Sequence, residues 1–377
     1  MLIAYFSGYG SWWGNFPKDV YDRDYGRMTG AGEQGMVRSA FGLAAMGHEV
    51  TLYSCAEPGE YKNVRFVPER DFYREVPGGD ADAIVAWSDP SPLSLAPAGC
   101  ARLLVQQLND LVFAPGWEVQ VDCLVSPSWN HADLMARLGW AGLRAVMHNG
   151  CFPEQWADAP HPSERPMQVG YWSSPDRGLH HVLRCWPRIR RAVPDARLVV
   201  GYEIERLFGH VSPLRRDWAE SPSRIALMRD YVLAARHDPS ITFLGGTSHP
   251  KLREVQKQTR VFCYPSDGIL YTEGFSVACL EAMAAGCLPV LRGADALPSL
   301  WTGAAWWTPM DTGTTAFDDA LVDLVVHGLT QWSERPESLS LDDLRARAAE
   351  FPWSRSVQEM AAAIDEARVV RRAREAA

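Results

Sequence analysis

The chain has 377 residues and a formal net charge of −9, with a hydrophobic fraction of 47% and a charged fraction of 22%. This length suggests about two domains, and the composition is that of a globular protein with a sizeable core. The acidic balance argues against a nucleic-acid partner, although it leaves room for a local basic pocket.

Targeting signals are not evident in the sequence. The first strand-like run, Leu2 to Phe6, has neither the basic region nor the long apolar core of a signal peptide. No apolar stretch reaches the roughly 18 residues of a membrane span. The eight cysteines form no CxxC pair and no zinc-like group with histidine, and most lie in apolar stretches, where reduced thiols are expected. We therefore expect a cytoplasmic protein without a transmembrane segment.

Strand-like and helix-like segments alternate along the first 150 residues, the pattern of an α/β domain with a parallel sheet. A helix is predicted over Glu33–Met46, and Gly47 ends it. The predicted strands are Leu2–Tyr5, Val50–Tyr53, Ala83–Ala86, Leu103–Gln106, Asp122–Val125 and Ala145–Met147.

The same alternation restarts after a segment rich in proline, histidine and acidic residues, Asn149 to Pro166, which has the composition of a linker. We predict two doubly wound domains, over 1–160 and 161–352, and a long final helix in the tail. The second set of strands is Met167–Tyr171, Ala196–Val200, Ile241–Leu244, Val261–Tyr264 and Leu288–Leu291; the helices are Gly178–Arg191, Ser223–Ala235, Lys251–Gln258, Ser276–Ala285 and Ser354–Ala377.

The first candidate motif is the glycine-rich run from Gly8 to Gly14, directly after the first strand. A dinucleotide fingerprint needs a helix to begin at once, and Pro17 argues against one. A loop over a ligand cleft is therefore favoured, with a surface loop pinned by Trp12 and Trp13 as the alternative. Together with Tyr9, these aromatic residues hint at a flat or ring-shaped acceptor.

The second motif runs from Glu273 to Gly286, after a predicted strand. Ser276 is a good N-cap, and the free amides of the following helix favour a phosphate. Glu273 can reach a sugar hydroxyl, and Glu281, about two turns into the helix, can accept hydrogen bonds from a vicinal diol such as ribose. The alternative is an ordinary amphipathic helix with one exposed glutamate.

The third motif is the loop from Ser173 to Gly178, where Arg177 near a helix start suits a diphosphate or, alternatively, only pairs with Asp176. Two carboxylate pairs are metal candidates. Asp80 and Asp82 have the pattern of turn residues before a strand. The pair Asp22 and Asp24 is an equally weak candidate for a metal site, so no metal is predicted.

The run EGFSVACLEAMAAGCLPV, with its two glutamates at Glu273 and Glu281, resembles the signature of glycosyltransferase family 4, which has the GT-B fold. Further segments are similar to that family: Gly30-Ala31-Gly32-Glu33, Gly47-His48-Glu49-Val50, Met147-His148-Asn149-Gly150, Arg177-Gly178, Phe243-Leu244-Gly245, Tyr264-Pro265-Ser266 and Phe351-Pro352-Trp353-Ser354. The resemblance implies two Rossmann-like domains facing across a cleft, with a closing helix, 353–377, that crosses back to the first domain.

By resemblance, the chain is a retaining glycosyltransferase that uses a nucleotide-sugar, UDP or GDP in the first place, without a metal or other cofactor. The resemblance assigns Glu273 to the donor sugar, Arg177 to the diphosphate and Glu281 to the ribose. Further donor-binding residues are expected at Gly30, Gly32, Ser173, Ser174, Gly246, Thr247, Gly274, Phe275 and Ser276.

The chain departs from the family pattern at several positions. Trp172 stands where a second arginine is usual, and Ser276 stands where a glycine is usual. The first-domain histidine is replaced by Asn109, and His131 is a second candidate for that catalytic role, or else a helix-start histidine without one.

Three alternatives stay open beside transfer to a small soluble acceptor. The first is another GT-B enzyme, such as a phosphorylase or an epimerase. The second is a non-catalytic nucleotide-sugar binder or a pseudo-glycosyltransferase, which the departure at Trp172 favours. The third is a dehydrogenase. The sugar, the base, the attacking atom of the acceptor and homodimer formation are not fixed by the sequence.

Overall fold

The structure is a computed structural model that describes residues 1–7, 17–20, 22, 30–204, 222–267, 273–331 and 339–376. The glycine-rich run 8–14, with Tyr9, Trp12 and Trp13, and the acid Asp24 lie outside these residues. By its contacts the chain forms two compact units, one from the described parts of 1–150 and 351–376 and the other from those of 151–350. The contacts thus group 151–160 with the second unit, whereas the sequence prediction divided the domains at 160.

The first unit holds an eight-stranded sheet of the order β3-β4-β2-β1-β5-β6-β7-β8 among the described residues. All of its pairs are parallel except β3 with β4. Its strands are β1 Leu2–Ser7, β2 Glu49–Ser54, β3 Gly59–Tyr61, β4 Val64–Pro68, β5 Ala83–Trp87, β6 Ala101–Val105, β7 Cys123–Ser126 and β8 Leu143–Val146. Its helices are α1 Ala31–Ala45, α2 Phe72–Glu75, α3 Trp129–Arg137 and the last helix, α11 Trp353–Ala376.

The predicted tail helix is confirmed as α11, and it packs on α1, β6 and β8 of the first unit. A Cβ on Gly42 of α1 would come within 2.0 Å of Val357 Cγ2, so a glycine lets the two helices approach closely. Arg371 forms a two-pronged ion pair with the fully buried Asp122, at 2.7 and 3.0 Å. Arg374 reaches the same carboxylate at 3.1 Å. The arginines at this end of the chain therefore fasten the helix to its own sheet.

The second unit holds a six-stranded parallel sheet of the order β11-β10-β9-β12-β13-β14 among the described residues. Its strands are β9 Gln168–Tyr171, β10 Arg197–Val200, β11 Ile241–Phe243, β12 Val261–Tyr264, β13 Leu288–Arg292 and β14 Trp306–Thr308. Its helices are α4 Leu179–Ala192, α5 Pro222–Ala235, α6 His249–Lys257, α7 Val277–Ala284, α8 Leu297–Trp301, α9 Thr315–Thr330 and α10 Leu341–Ala349.

The predicted linker segment is anchored to the second unit by buried arginines. Arg165 is 2% exposed and donates to the carbonyl oxygens of Thr259 and Ala285, both at 2.6 Å. Arg260 in turn donates to the carbonyl oxygen of Arg165. Because each guanidinium is satisfied by main-chain oxygens, this polar stretch packs as part of the unit.

Two parallel-sheet α/β units confirm the predicted fold class. In each sheet the order of the parallel strands reverses at one point, between β1 and β5 in the first unit and between β9 and β12 in the second. Loops at the carboxyl ends of the strands flanking such a point diverge and leave a crevice that binds ligands. None of the described helices combines the length and the apolar character needed to cross a bilayer.

Candidate functional site

Two charged residues from different loops meet at the reversal point of the second sheet. Arg177 follows β9, Glu273 follows β12, and the Arg177 guanidinium contacts Glu273 Oε1 directly. The hydroxyl of Tyr264, the last residue of β12, donates to the same oxygen at 2.6 Å. Glu273 is 2% exposed, whereas a third of the Arg177 side chain is exposed. The carboxylate is therefore held inside, and the arginine keeps a face toward solvent.

Tyr264 acts as a neutral donor in this group. Burial and the adjacent Glu273 carboxylate raise the pKa of Tyr264 well above its ordinary value, so the phenol keeps its proton. Ser173 bonds to the same phenol, which fixes its orientation. The sequence motif pointed to Glu273 and Arg177, but Tyr264 as their common partner was missed.

A glycine explains why Arg177 lies so close to β12. Gly178 has a φ of +104°, and a Cβ there would lie 2.2 Å from the carbonyl oxygen of Pro265. No other residue fits both conditions without strain. The close approach of these two backbones brings the loop after β9 against the end of β12.

The start of α7 has an unusual backbone. Ser276 has a φ of +75°, the left-handed region that favours glycine, and its hydroxyl accepts from Cys279 N at 3.3 Å. The resemblance had marked this position as a glycine in the family, and the conformation gives the physical reason. Gly274 and Phe275 immediately precede it; Phe275 is buried, and its carbonyl accepts from the Trp301 indole at 3.2 Å.

Glu281 lies further along α7 and is partly buried. Burial raises its pKa to about 6, although the Gln256 hydrogen bond and the charge of Arg253 act the other way. Gln256 Nε2 donates to Glu281 Oε2 at 2.9 Å, and the Trp156 indole donates to Gln256 Oε1 at 3.0 Å. The carboxylate is therefore held in one orientation by a buried chain of hydrogen bonds.

The other predicted residues of this unit, and the departure at Trp172, lie on the loops after β9 and β11. Ser173 and Ser174 both have hydrogen-bond partners. Ser173 bonds to the Tyr264 phenol, and the Ser174 hydroxyl donates to Asp176 Oδ1. Gly246 and the buried Thr247 lie on the loop between β11 and α6, at the carboxyl edge of the sheet. Trp172 is buried, stacks on Phe262 at 4.7 Å and donates to the carbonyl oxygen of Ala278 at 3.0 Å.

The predicted residues of the first unit lie at the carboxyl edge of its sheet. Gly30 caps α1 and Gly32 lies in its first turn. A Cβ on Gly30 would lie 2.5 Å from Glu33 Oε2, so this glutamate folds back over the helix start. Asn109 lies in the loop after β6 and is partly exposed.

His131 is fully buried in α3, and both ring nitrogens have partners within the unit. Nδ1 lies 3.1 Å from Ser126 Oγ and Nε2 lies 3.0 Å from the carbonyl oxygen of Leu108. Burial lowers its pKa to about 4, although the Leu108 carbonyl acts the other way. These contacts tie α3 to the loop after β6; the catalytic role of His131 stays a prediction.

One group of possible metal ligands was missed by the sequence analysis, because Asp267 is distant in sequence from the adjacent His180 and His181. The Nε2 atoms of His180 and His181 lie 3.4 and 2.5 Å from Asp267 Oδ2. An ion about 2.1 Å from two ligand atoms holds them roughly 3 Å or more apart. The 2.5 Å separation is that of a hydrogen bond, which joins α4 to the segment after β12.

Comparison with known proteins gives one family match. Residues 173–300 match the family model described as "Glycosyl transferases group 1". This segment contains Arg177, Gly246, Glu273 and Glu281. No curated protein matches the chain.

Solved structures of similar fold cover nearly the whole chain. AviGT4, a glycosyltransferase of avilamycin A biosynthesis, is 14% identical with a TM-score of 0.64 and covers 98% of each chain. The sucrose-phosphate synthase of Thermosynechococcus elongatus is 15% identical with a TM-score of 0.63, covering 96% of this chain and 98% of that one. HepE of Anabaena, in complex with UDP and glucose, is 14% identical with a TM-score of 0.62, covering 96% and 99%. These neighbours confirm the predicted GT-B fold, and together with the family match they support a glycosyltransferase.

Proposed function

We propose that this protein is a retaining glycosyltransferase of family 4 that moves a sugar from a nucleotide-sugar to a small soluble acceptor without a metal ion. The observation that carries the proposal is the direct contact of Arg177 with Glu273 at the reversal point of the second sheet. A charged pair at this position, beside the start of α7, is suited to a sugar diphosphate.

The chemical task is to break the bond between the anomeric carbon and the phosphate oxygen. Negative charge grows on the leaving diphosphate, and one well-placed donor in such a site is worth about 3 kcal/mol. Arg177, with a third of its side chain exposed, supplies a fixed positive charge. The first amides of α7 supply further donors, and the family resemblance implies that the leaving phosphate itself helps to take the acceptor's proton.

Glu273 and Glu281 have separate parts in the proposal. Glu273 is fixed by Arg177 and Tyr264 and accepts a hydrogen bond from a hydroxyl of the donor sugar. Glu281, oriented by Gln256, accepts from the ribose hydroxyls of the nucleotide. HepE binds UDP and glucose, which makes UDP-glucose the first donor to test.

A ligand panel followed by a transfer assay tests the proposal. We expect one of the UDP-, GDP-, dTDP- or ADP-sugars to raise the melting temperature, and transfer with that donor to continue in excess EDTA. The anomeric configuration of the product, followed by proton NMR, should equal that of the donor. Failure of the whole panel to bind would contradict a nucleotide-sugar donor. Inversion at the anomeric carbon would contradict a retaining mechanism, and loss of transfer in EDTA would contradict metal independence.

Trp172 favours one second candidate, a nucleotide-sugar binder or pseudo-glycosyltransferase. Its buried indole fills the position where the family has a second cation, so the leaving group receives less positive charge. This candidate predicts a tight donor complex with no glycosyl transfer to any acceptor in the panel. A phosphorylase or an epimerase would instead require free phosphate or turn over the donor alone.

A further inference from the structure

The loop between β13 and α8 holds the peptide groups on both sides of Glu273. Asp295 Oδ2 accepts a hydrogen bond from Glu273 N at 3.0 Å, and the carbonyl oxygen of Glu273 accepts from Ala296 N at 3.1 Å. Two consecutive residues of one loop therefore fix the backbone from which the Glu273 side chain extends. The charge on the Asp295 carboxylate makes the first of these bonds stronger than a neutral one.

Asp295 has a strained backbone, with a φ of +52°. Aspartate and asparagine tolerate this left-handed conformation better than other residues with a Cβ, but glycine alone adopts it freely. The neighbouring contacts keep the loop in place, since Arg292 donates to the carbonyl oxygens of Ser266 and Met310, both at 2.7 Å. Strained residues of this kind gather at functional sites.

The two sets of contacts on Glu273 act on different parts of the residue. Arg177 and Tyr264 hold its carboxylate at Oε1, whereas Asp295 and Ala296 hold its main chain. A side chain that is fixed at both ends keeps one rotamer and one direction when a substrate replaces solvent. Without the main-chain bond, the segment before α7 can shift while the carboxylate stays paired.

We infer that Asp295 is a positioning residue for Glu273, and that its carboxylate sets the direction in which Glu273 meets the donor sugar. This role rests on the proposed function. Asp295 touches neither the sugar nor the diphosphate in this scheme and acts through its hydrogen bond with the Glu273 amide. The left-handed backbone of Asp295 accompanies the placement of its carboxylate within hydrogen-bond distance of that amide.

Paired substitutions separate positioning from general stability. Asp295→Gly removes the acceptor and relieves the backbone strain, whereas Asp295→Asn keeps an acceptor oxygen and tolerates the conformation. We expect Asp295→Gly to lower kcat about tenfold or more, with the Kd for the free nucleoside diphosphate within about twofold and the melting temperature unchanged or raised. We expect Asp295→Asn to keep kcat within about threefold of the native enzyme.

Asn63→Gly is a matched control, because Asn63 has a similar φ of +59° in the first unit. It relieves the same kind of strain and should leave kcat unchanged. The inference is overturned if Asp295→Gly transfers sugar as fast as the native protein, or if Gly and Asn variants lose activity equally and in step with their melting temperatures.

Hydrogen exchange tests the main-chain bond without any substrate. In Asp295→Gly we expect the amide of Glu273 to exchange about tenfold faster than in the native protein and in Asn63→Gly. Unchanged exchange would overturn the inference even if transfer activity is found. Conversely, a native protein that binds no nucleotide-sugar would refute the proposed function while the exchange experiment still reports on the contact.

Discussion

At the carboxyl edge of the first sheet, His131 bonds to Ser126 and Leu108, and Gln107 bonds to Asn149 at 3.2 Å. At the same edge of the second sheet, Arg177 and Tyr264 converge on the carboxylate of Glu273. The first set is made of neutral groups that satisfy one another, whereas the second concentrates charge beside a helix start. Substitutions in the first set should therefore change stability, and those in the second should change transfer.

The largest expected effect follows from removing the charge of Arg177. Arg177→Gln should lower kcat about 100- to 1000-fold, because the leaving diphosphate loses its main cation, while Arg177→Lys should keep part of the rate. Steady-state kinetics with the best donor measures the loss, and melting temperatures check folding. Arg184→Gln is the control, since Arg184 on α4 forms an ion pair with Asp318 on α9; equal losses of kcat in both variants would refute a special role for Arg177.

The pH dependence of stability tests the first set. The pKa of His131 is about 4 in the folded protein against an ordinary 6.5, so only the unfolded chain takes up the proton between these values. The free energy of unfolding should fall as the pH is lowered from 6.5 to 4, by up to about 3 kcal/mol. Urea unfolding at several pH values measures it. His131→Gln should be less stable at pH 7 and lack this dependence; identical slopes in both proteins would contradict the assignment.

Gly178 tests whether the second set depends on close backbone approach. Gly178→Ala meets both an unfavourable φ and the Pro265 carbonyl oxygen, and we expect a loss of about 3 kcal/mol in unfolding free energy. Gly303 has a φ of +80° with nothing within 4 Å of an added Cβ. Gly303→Ala should therefore cost only about 1 kcal/mol. Equal costs in urea unfolding would show that the approach to Pro265 is not needed.

The smallest expected effect concerns the affinity for the nucleotide. Glu281 has a pKa raised to about 6 by burial, and only its ionised form accepts from both ribose hydroxyls. The Kd for the nucleoside diphosphate should rise about tenfold for each pH unit below 6 and be constant above about 7. Calorimetry from pH 5 to 8 measures it. In Glu281→Gln the binding should be weaker at pH 7.5 and independent of pH; a parallel pH dependence would assign the effect to another group.

The sequence determined the elements of this protein and the residues worth testing. Alternating apolar runs and glycine stops predicted most strands and helices, including the tail helix α11, because local periodicity reports which face is buried. It missed the strands β3, β4 and β14 and the helices α2, α3, α8, α9 and α10. Glu273, Glu281 and Arg177 were selected by motif, and the family match covers all three.

Only the tertiary structure decided which partners these residues meet. Tyr264 and Asp295 lie 9 and 22 residues from Glu273, and Asp122 lies 249 residues from Arg371. Such pairs depend on the order of strands in a sheet and on where a loop returns, and no local pattern encodes either. Trp172 illustrates the same division. The sequence showed that it stands where the family has a cation, and only the packing against Phe262 and Ala278 showed that its indole is buried.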